Sequence, residues 1–278
     1  MAKNQLVSPF LKWVGGKRQL IYEIMALKPA RFGTYYEPFV GGGAVLFHLQ
    51  PRRAVINDAN GELINVYNVI KTQLNDLVAD LKTHENNADY FYALRALDRQ
   101  PAYADLPDLR RASRFIYLNK TCYNGLYRVN SAGEFNTPFG RYKKPNIVNE
   151  PTLKAVSDYL NDAEITVLNT DYETALAGAA RNDFVYLDPP YHPVSPTSNF
   201  TGYVQGGWNA DDQVRLRDVC DRLHARGVKF LLSNSAVPLI KELYAAYDVR
   251  TVKATRAVNS AADKRGVVDE YLIRNYDD

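Results

Sequence analysis

Phe184-Val185-Tyr186-Leu187-Asp188-Pro189-Pro190-Tyr191 decides how the rest of the chain is read. An unbroken apolar and aromatic run that stops at a carboxylate is the pattern of a strand buried on both faces of a parallel sheet. Ligands of open α/β sheets sit outside the carboxyl ends of their strands, so Asp188 reads as a site residue. The two prolines make a stiff turn without N–H donors, and their carbonyls stay free to accept. A carboxylate next to a free carbonyl, with the Tyr191 ring close by, can grip a planar amino group.

Outward from this strand, short apolar runs alternate with helical spacing. Strands are expected at 34–39, 54–56, 165–168, 184–187, 228–232, 248–254 and 268–275. Helices are expected at 16–27, 44–49, 63–81, 211–225 and 237–246. Such alternation predicts a doubly wound, Rossmann-like α/β sheet. Only a polar loop separates the last two strands, which predicts an antiparallel hairpin there. Residues 72–160 interrupt the alternation. They begin with helical stripes (Tyr90, Phe91, Leu94 and Leu97, then Phe115, Ile116 and Leu118) and turn rich in Asn, Gly, Pro and Arg from Asn119 to Asn149. The expected organisation is a sheet domain formed by 1–71 and 161–278, with a mainly helical domain inserted at 72–160.

A chain of 278 residues suits one large domain with an insertion. No apolar run approaches a membrane span, and the N-terminus lacks a signal-peptide core, so a cytoplasmic protein without membrane partners is expected. Cys122 and Cys220 form no metal or redox motif and read as buried free thiols, and His48, His84, His192 and His224 show no zinc spacing; no metal is expected. The net charge of +3 hides an asymmetry. Between Arg110 and Lys144 lie Arg110, Arg111, Arg114, Lys120, Arg128, Arg141, Lys143 and Lys144, opposed only by Glu134. Basic residues among aromatics and asparagines suit nucleic-acid phosphates and base edges; a solubilising surface is the alternative.

Glu37-Pro38-Phe39-Val40-Gly41-Gly42-Gly43 places glycines at a strand-to-helix turn, where a ligand can approach the backbone. Asp58 follows the next strand, where an acid holds a ribose hydroxyl or caps a helix. Trp13 and Lys17 flank Gly15 and Gly16, as cover and counter-charge for a ligand or as core and surface residues. Asp171 and Tyr172 follow the 165–168 strand, facing a cofactor's adenine or capping a helix.

Taken together the motifs FLKWVGGKRQL (10–20), YYEPFVGGGAVLF (35–47), INDAN (56–60), YNGLYRVNSAGEFNTPFGRYKKP (123–145) and FVYLDPPY (184–191) resemble the D12-class DNA adenine-N6 methyltransferases, the Dam group with its DpnII-type modification relatives. The resemblance runs nearly end to end. It implies a class I S-adenosylmethionine-dependent methyltransferase sheet, with the target-recognition domain between cofactor and catalytic halves. It implies that S-adenosyl-L-methionine meets Trp13, Gly15, Lys17, Glu37, Pro38, Phe39, Gly41, Gly43, Asp58, Asp171, Tyr172 and Asp188. Asp188, Pro189 and Tyr191 match the catalytic motif. Lys12, Tyr123, Asn124, Leu126, Arg128, Pro138, Arg141 and Tyr142 match residues that read DNA, with Lys143 and Lys144 better suited to its backbone. Methylation of adenine in GATC within double-stranded DNA is the implied activity, by a monomer that can serve beside a cognate restriction enzyme without binding it. Arg256, Lys264 and Arg265 offer a further phosphate contact. The competing readings are RNA base N-methylation and a DNA-binding protein with a decayed site.

Overall fold

The computed structural model describes residues 3–193, 208–255 and 267–277; Arg256, Lys264 and Arg265 lie outside them. In chain order the elements are α1 (Ile21–Leu27), β1 (Tyr35–Glu37), α2 (Ala44–Leu49), β2 (Arg53–Asn57), α3 (Gly61–Thr72), α4 (Leu74–Leu81), α5 (Ala88–Arg95), α6 (Asp108–Thr121), α7 (Glu150–Asp162), β3 (Glu164–Leu168), α8 (Tyr172–Ala175), β4 (Phe184–Leu187), α9 (Ala210–Ala225), β5 (Lys229–Ser235), α10 (Pro238–Leu243), β6 (Asp248–Thr255) and β7 (Val267–Arg274).

Among the described residues the strands form one sheet in the order β3-β2-β1-β4-β5-β7-β6. The first five run parallel to one another, and β7 runs antiparallel to both β5 and β6. All four residues of β4 are buried. Phe184 and Tyr186 face one core with Tyr35, Ile56 and the side chains of α1, α2, α3 and α7. Val185 and Leu187 face the other, with α8, α9 and α10. The period-2 alternation of a strand thus feeds two layers.

The helical stretch expected over 63–81 is two helices. Asn60 caps α3 by accepting from the Leu63 N–H, and the ladder breaks at Gln73, whose φ of −137° is not helical. Thr72 bonds back to the Asn68 carbonyl at 2.8 Å, which competes with the helix ladder at that turn. The break lets Leu77, Val78 and Leu81 face the same core as Leu63, Val66 and Ile70. Periodicity alone does not register such a change of axis. The first expected helix likewise begins as a short 3-10 turn, Lys17–Gln19, before α1.

The segment 72–160 shares its apolar interior with the sheet: Phe91, Phe115, Ile116, Tyr127 and Phe135 belong to the cluster that holds Tyr35 and Tyr186. Three of its arginines are paired within the protein. Arg114 is buried, pairs with Asp98 at 2.8 Å and donates to the Leu94 carbonyl at 2.8 Å. Arg110 pairs with Asp80, and Arg111 with Glu62. The basic window read from the sequence therefore overcounts: these cations are spent on acids outside the window, where a windowed sum cannot see them.

Candidate active site

The strand order reverses between β1 and β4, the crevice position where open α/β sheets hold ligands. Four strands deliver polar residues to this rim: Glu37 ends β1, Asn57 ends β2, Asp188 follows β4, and Asn234 and Ser235 end β5.

Asp188 is the centre. Lys17 Nζ lies 2.7 Å from its carboxylate and donates to the Gly15 carbonyl at 2.7 Å. Burial pushes the Asp188 carboxyl up to about 6, against the opposing pull of the Lys17 charge. Glu37 is buried, accepts from the Tyr35 hydroxyl at 2.8 Å and is pushed up to about 8 by burial, with the Asp188 charge adding to the rise. The Lys17 ammonium also stands 4.7 Å from the Tyr191 ring centroid, and the Tyr191 hydroxyl donates to Glu270 at 2.7 Å.

The turn beyond Asp188 is clamped from below. Gln213 on α9 donates to the Pro190 carbonyl at 3.1 Å and accepts from Asn234 at 2.9 Å. Asn234 accepts from the His192 N–H at 3.3 Å, and Ser235 donates to the His192 carbonyl at 2.7 Å. Gln213, Asn234 and Ser235 are all buried. Of the two proline carbonyls expected to be free, Pro190's is engaged; none of the described hydrogen bonds reaches that of Pro189.

The glycine turn is bound to the same rim. Gly41 N–H donates to Asp58 at 2.9 Å, Asp58 also accepts from Asn60 N–H at 2.9 Å, and Tyr67 donates to the Gly41 carbonyl at 3.0 Å. Asn57 joins three strand ends by donating to the Pro38 and Thr170 carbonyls at 3.0 and 3.1 Å. Gly41 has φ +48°, and a Cβ there would come within 2.7 Å of Trp13 Cδ1, so this turn needs glycine. Trp13 stacks on Tyr127 at 5.4 Å, and Tyr127 on Phe115 at 4.7 Å. Gly15 and Gly43 both have positive φ, and Pro38 is buried.

Phe39, Tyr172 and Trp208 form an aromatic patch, with centroid distances of 5.3 Å from Phe39 to Tyr172 and 5.9 Å from Tyr172 to Trp208. The Tyr172 hydroxyl and the Trp208 indole nitrogen are buried there without hydrogen-bond partners among the described residues. Asp171 caps α8 by accepting from Glu173 N–H and pairs with Arg215 at 2.9 Å. It stands at the edge of this patch, already engaged as a cap.

A second group of sequence-derived candidates lies apart, on the loop after α6. Asn119 anchors Lys12 there by accepting its N–H at 2.9 Å and donating to its carbonyl at 2.8 Å. Tyr123 is exposed, and its N–H donates to the Pro138 carbonyl at 2.8 Å. Asn124 and Arg141 adopt left-handed φ values of 56° and 55°, a costly conformation for such residues that recurs at functional loops. Arg128 donates through Nε to Asn136 at 2.7 Å, which leaves the terminal nitrogens of its fork for another partner. Thr137 holds the Leu126 carbonyl at 2.6 Å. Lys12 Nζ lies 5.0 Å from the Tyr142 ring, and Lys143 and Lys144 are exposed.

Asn57, Tyr127, Gln213, Asn234, Ser235 and Glu270 escape the sequence reading. One signal was present: Phe230-Leu231-Leu232-Ser233-Asn234-Ser235 repeats the pattern of an apolar strand that turns polar at its carboxyl end.

This strand order, with an antiparallel seventh strand beside β5 and a polar rim at the β1–β4 reversal, is the class I methyltransferase fold. Residues 13–258 match the family model of the D12 class N6 adenine-specific DNA methyltransferases, and the chain belongs to that family. It is 43% identical to a type II methyltransferase of Lactococcus lactis subsp. cremoris, over 99% of this chain and 98% of that one. A type II methyltransferase of Methanocaldococcus jannaschii is 41% identical, over 97% and 99% of the two chains. A DNA adenine methylase of Serratia marcescens is 38% identical, over 98% of each. Among the described residues no helix is long and apolar enough to cross a membrane, and no cluster of His, Cys, Asp and Glu could hold a metal ion.

Proposed function

We propose that the chain transfers the methyl group of S-adenosyl-L-methionine to the N6 amine of an adenine flipped out of double-stranded DNA, within GATC. The observation that carries this reading is the Asp188 carboxylate beside the Tyr191 ring and the Pro189 carbonyl, which no hydrogen bond among the described residues reaches, at the strand-order reversal. The buried Tyr172 hydroxyl and Trp208 nitrogen, without partners among the described residues, suit a ligand that carries both an aromatic base and polar groups. Asp58, Phe39, Tyr172 and the turn of Glu37, Pro38, Gly41 and Gly43 would hold that cofactor, with Trp13, Gly15 and Lys17 on its amino-acid side. When bound, it supplies an electrophilic methyl group.

The protein's part is to make a poor nucleophile better. An exocyclic amine shares its lone pair with the ring. Asp188 and the Pro189 carbonyl accept its two hydrogens, favour a pyramidal nitrogen and stabilise the positive charge that grows there. Lys17 pairs with one Asp188 oxygen, and would turn from it to the carboxylate of the cofactor once that group is bound. A base inside a duplex is out of reach and must be extruded. Tyr191 stacks on it, while Tyr123, Asn124 and Leu126 brace the opened duplex. Residues 72–160 serve as the recognition domain: Lys12 and Arg128 read guanines, Pro138 shapes the loop, and Arg141, Tyr142, Lys143 and Lys144 hold the backbone. The type II names of two relatives favour service beside a restriction enzyme.

The test is to incubate the protein with labelled S-adenosylmethionine and duplexes that differ only in GATC, GATATC or scrambled sites, with an RNA duplex alongside, and to digest the products to nucleosides. Label in N6-methyladenine on GATC duplexes alone is expected. Label across altered sites overturns the specificity, and label in RNA alone overturns the substrate.

A further inference from the structure

Tyr191 lies in the irregular stretch after β4, where no helix or strand fixes its ring. Its hydroxyl nevertheless has a defined partner, Glu270 Oε2 at 2.7 Å. Glu270 comes from β7, where it stands opposite Ser235 in the antiparallel register. The tyrosine is therefore gripped from two sides. Ser235 and Asn234 hold the backbone of His192 next to it, while Glu270, one strand further across the sheet, holds the tip of the ring.

The placement of Glu270 has a cost. Its charge acts on Asp188 in the direction that opposes ionisation, so a second carboxylate beside the first works against the state the chemistry uses. A phenol donating to a carboxylate makes a charge-assisted bond, stronger than one to a neutral acceptor. Without it the half-buried hydroxyl would lose its partner and the ring its anchor. A stacking platform works when its plane is set before the base arrives, because ordering it afterwards consumes binding energy.

On the function proposed above, we infer that Glu270 is a positioning residue for methyl transfer: it fixes the Tyr191 ring at the mouth of the site, in the plane the extruded adenine stacks on. β7 thereby takes part in the site from the far side of β5, through a single hydrogen bond.

Glu270→Ala and Tyr191→Phe each remove the same bond, so each should lower kcat/KM on a GATC duplex roughly tenfold. The double variant should be no worse than either single one. Glu270→Gln, which keeps an acceptor, should recover most of the loss. With 2-aminopurine at the target position, fluorescence from the unstacked base should fall in both single variants while their melting temperatures stay at the wild-type value. Losses that multiply in the double variant, or equal losses for Glu270→Gln and Glu270→Ala, would overturn the role of Glu270 and leave the function standing. A wild-type enzyme that methylates no nucleic acid would overturn both.

Discussion

The rim around Asp188 and the loop from Tyr123 to Lys144 solve the problem of holding side chains in opposite ways. At the rim, partners come from far along the chain: Lys17 meets Asp188, Tyr191 meets Glu270, and Gln213 reaches back to Pro190. The loop carries bonds of its own, Arg128 to Asn136, Asn130 to Glu134 and Thr137 to Leu126, and is tied to the preceding helical segment by Arg95 to Thr137, Arg99 to Phe135 and Asn86 to Tyr142. The rim buries its charges, and burial moves Asp188 to about 6 and Glu37 to about 8. The loop leaves Arg128, Arg141, Lys143 and Lys144 exposed. Chemistry needs geometry that does not relax, and a low-dielectric surround that strengthens each bond. Reading a polyanion needs charge left in water until the partner arrives.

Asp188→Ala strikes this division hardest. Turnover on a GATC duplex should drop about a thousandfold, a loss of the size seen when a transition-state hydrogen bond is removed. Duplex binding in a gel-shift assay should persist. Survival of more than roughly a tenth of the turnover would break the division, because the rim would then not carry the chemistry.

Arg128→Ala should act on the other region alone. Discrimination at one base pair of the site should fall by about 1–3 kcal/mol when kcat/KM is compared across single-base variants. An equal loss on every sequence would reassign Arg128 to the backbone.

The pH profile sharpens the account of the rim. Asp188 is held up near 6 by burial, so it gains a proton, and loses its acceptor charge, as pH falls through that value. kcat/KM, which reports the free enzyme, should therefore decline on the acid side of about pH 6. Lys17→Met removes the cation that pulls Asp188 down, and should shift that limb to higher pH. A limb that stays in place would separate Lys17 from the titration.

The smallest effects should come from Lys143→Ala and Lys144→Ala. Each should flatten the dependence of log binding constant on log salt by about one unit, with base preference intact.

What was legible in the sequence follows the same division. The strands could be read because a buried parallel strand leaves a continuous apolar run, and Asp188 could be read because it ends one. The turn at Gly41 to Gly43 could be read as well, because glycines that follow a strand mark a turn, and Gly41 and Gly43 both have positive φ. Asn234 and Ser235 leave the same trace at the end of β5, but Gln213 leaves none: it is a buried polar residue on α9 that only its partners Pro190 and Asn234 explain. Arg110, Arg111 and Arg114 misled for the reverse reason, since their acids lie on other elements. Tyr127, flanked by residues matched to DNA contacts, turned out to be a stacking member between Trp13 and Phe115. Neighbours in sequence point to opposite sides of a loop.

The order β3-β2-β1-β4 also carries a consequence in time. β1 at residues 35–37 pairs on one edge with β2, already made early in synthesis, and on the other with β4 at residues 184–187. A ribosome adding about 5–20 residues per second leaves that second edge without its partner for on the order of ten seconds. During that interval β1 offers an unpaired strand edge, while the helices of the intervening segment can already pack locally. The crevice between β1 and β4 is thus late to close, and a nascent chain completes the loop from Tyr123 to Lys144 before the rim around Asp188 exists.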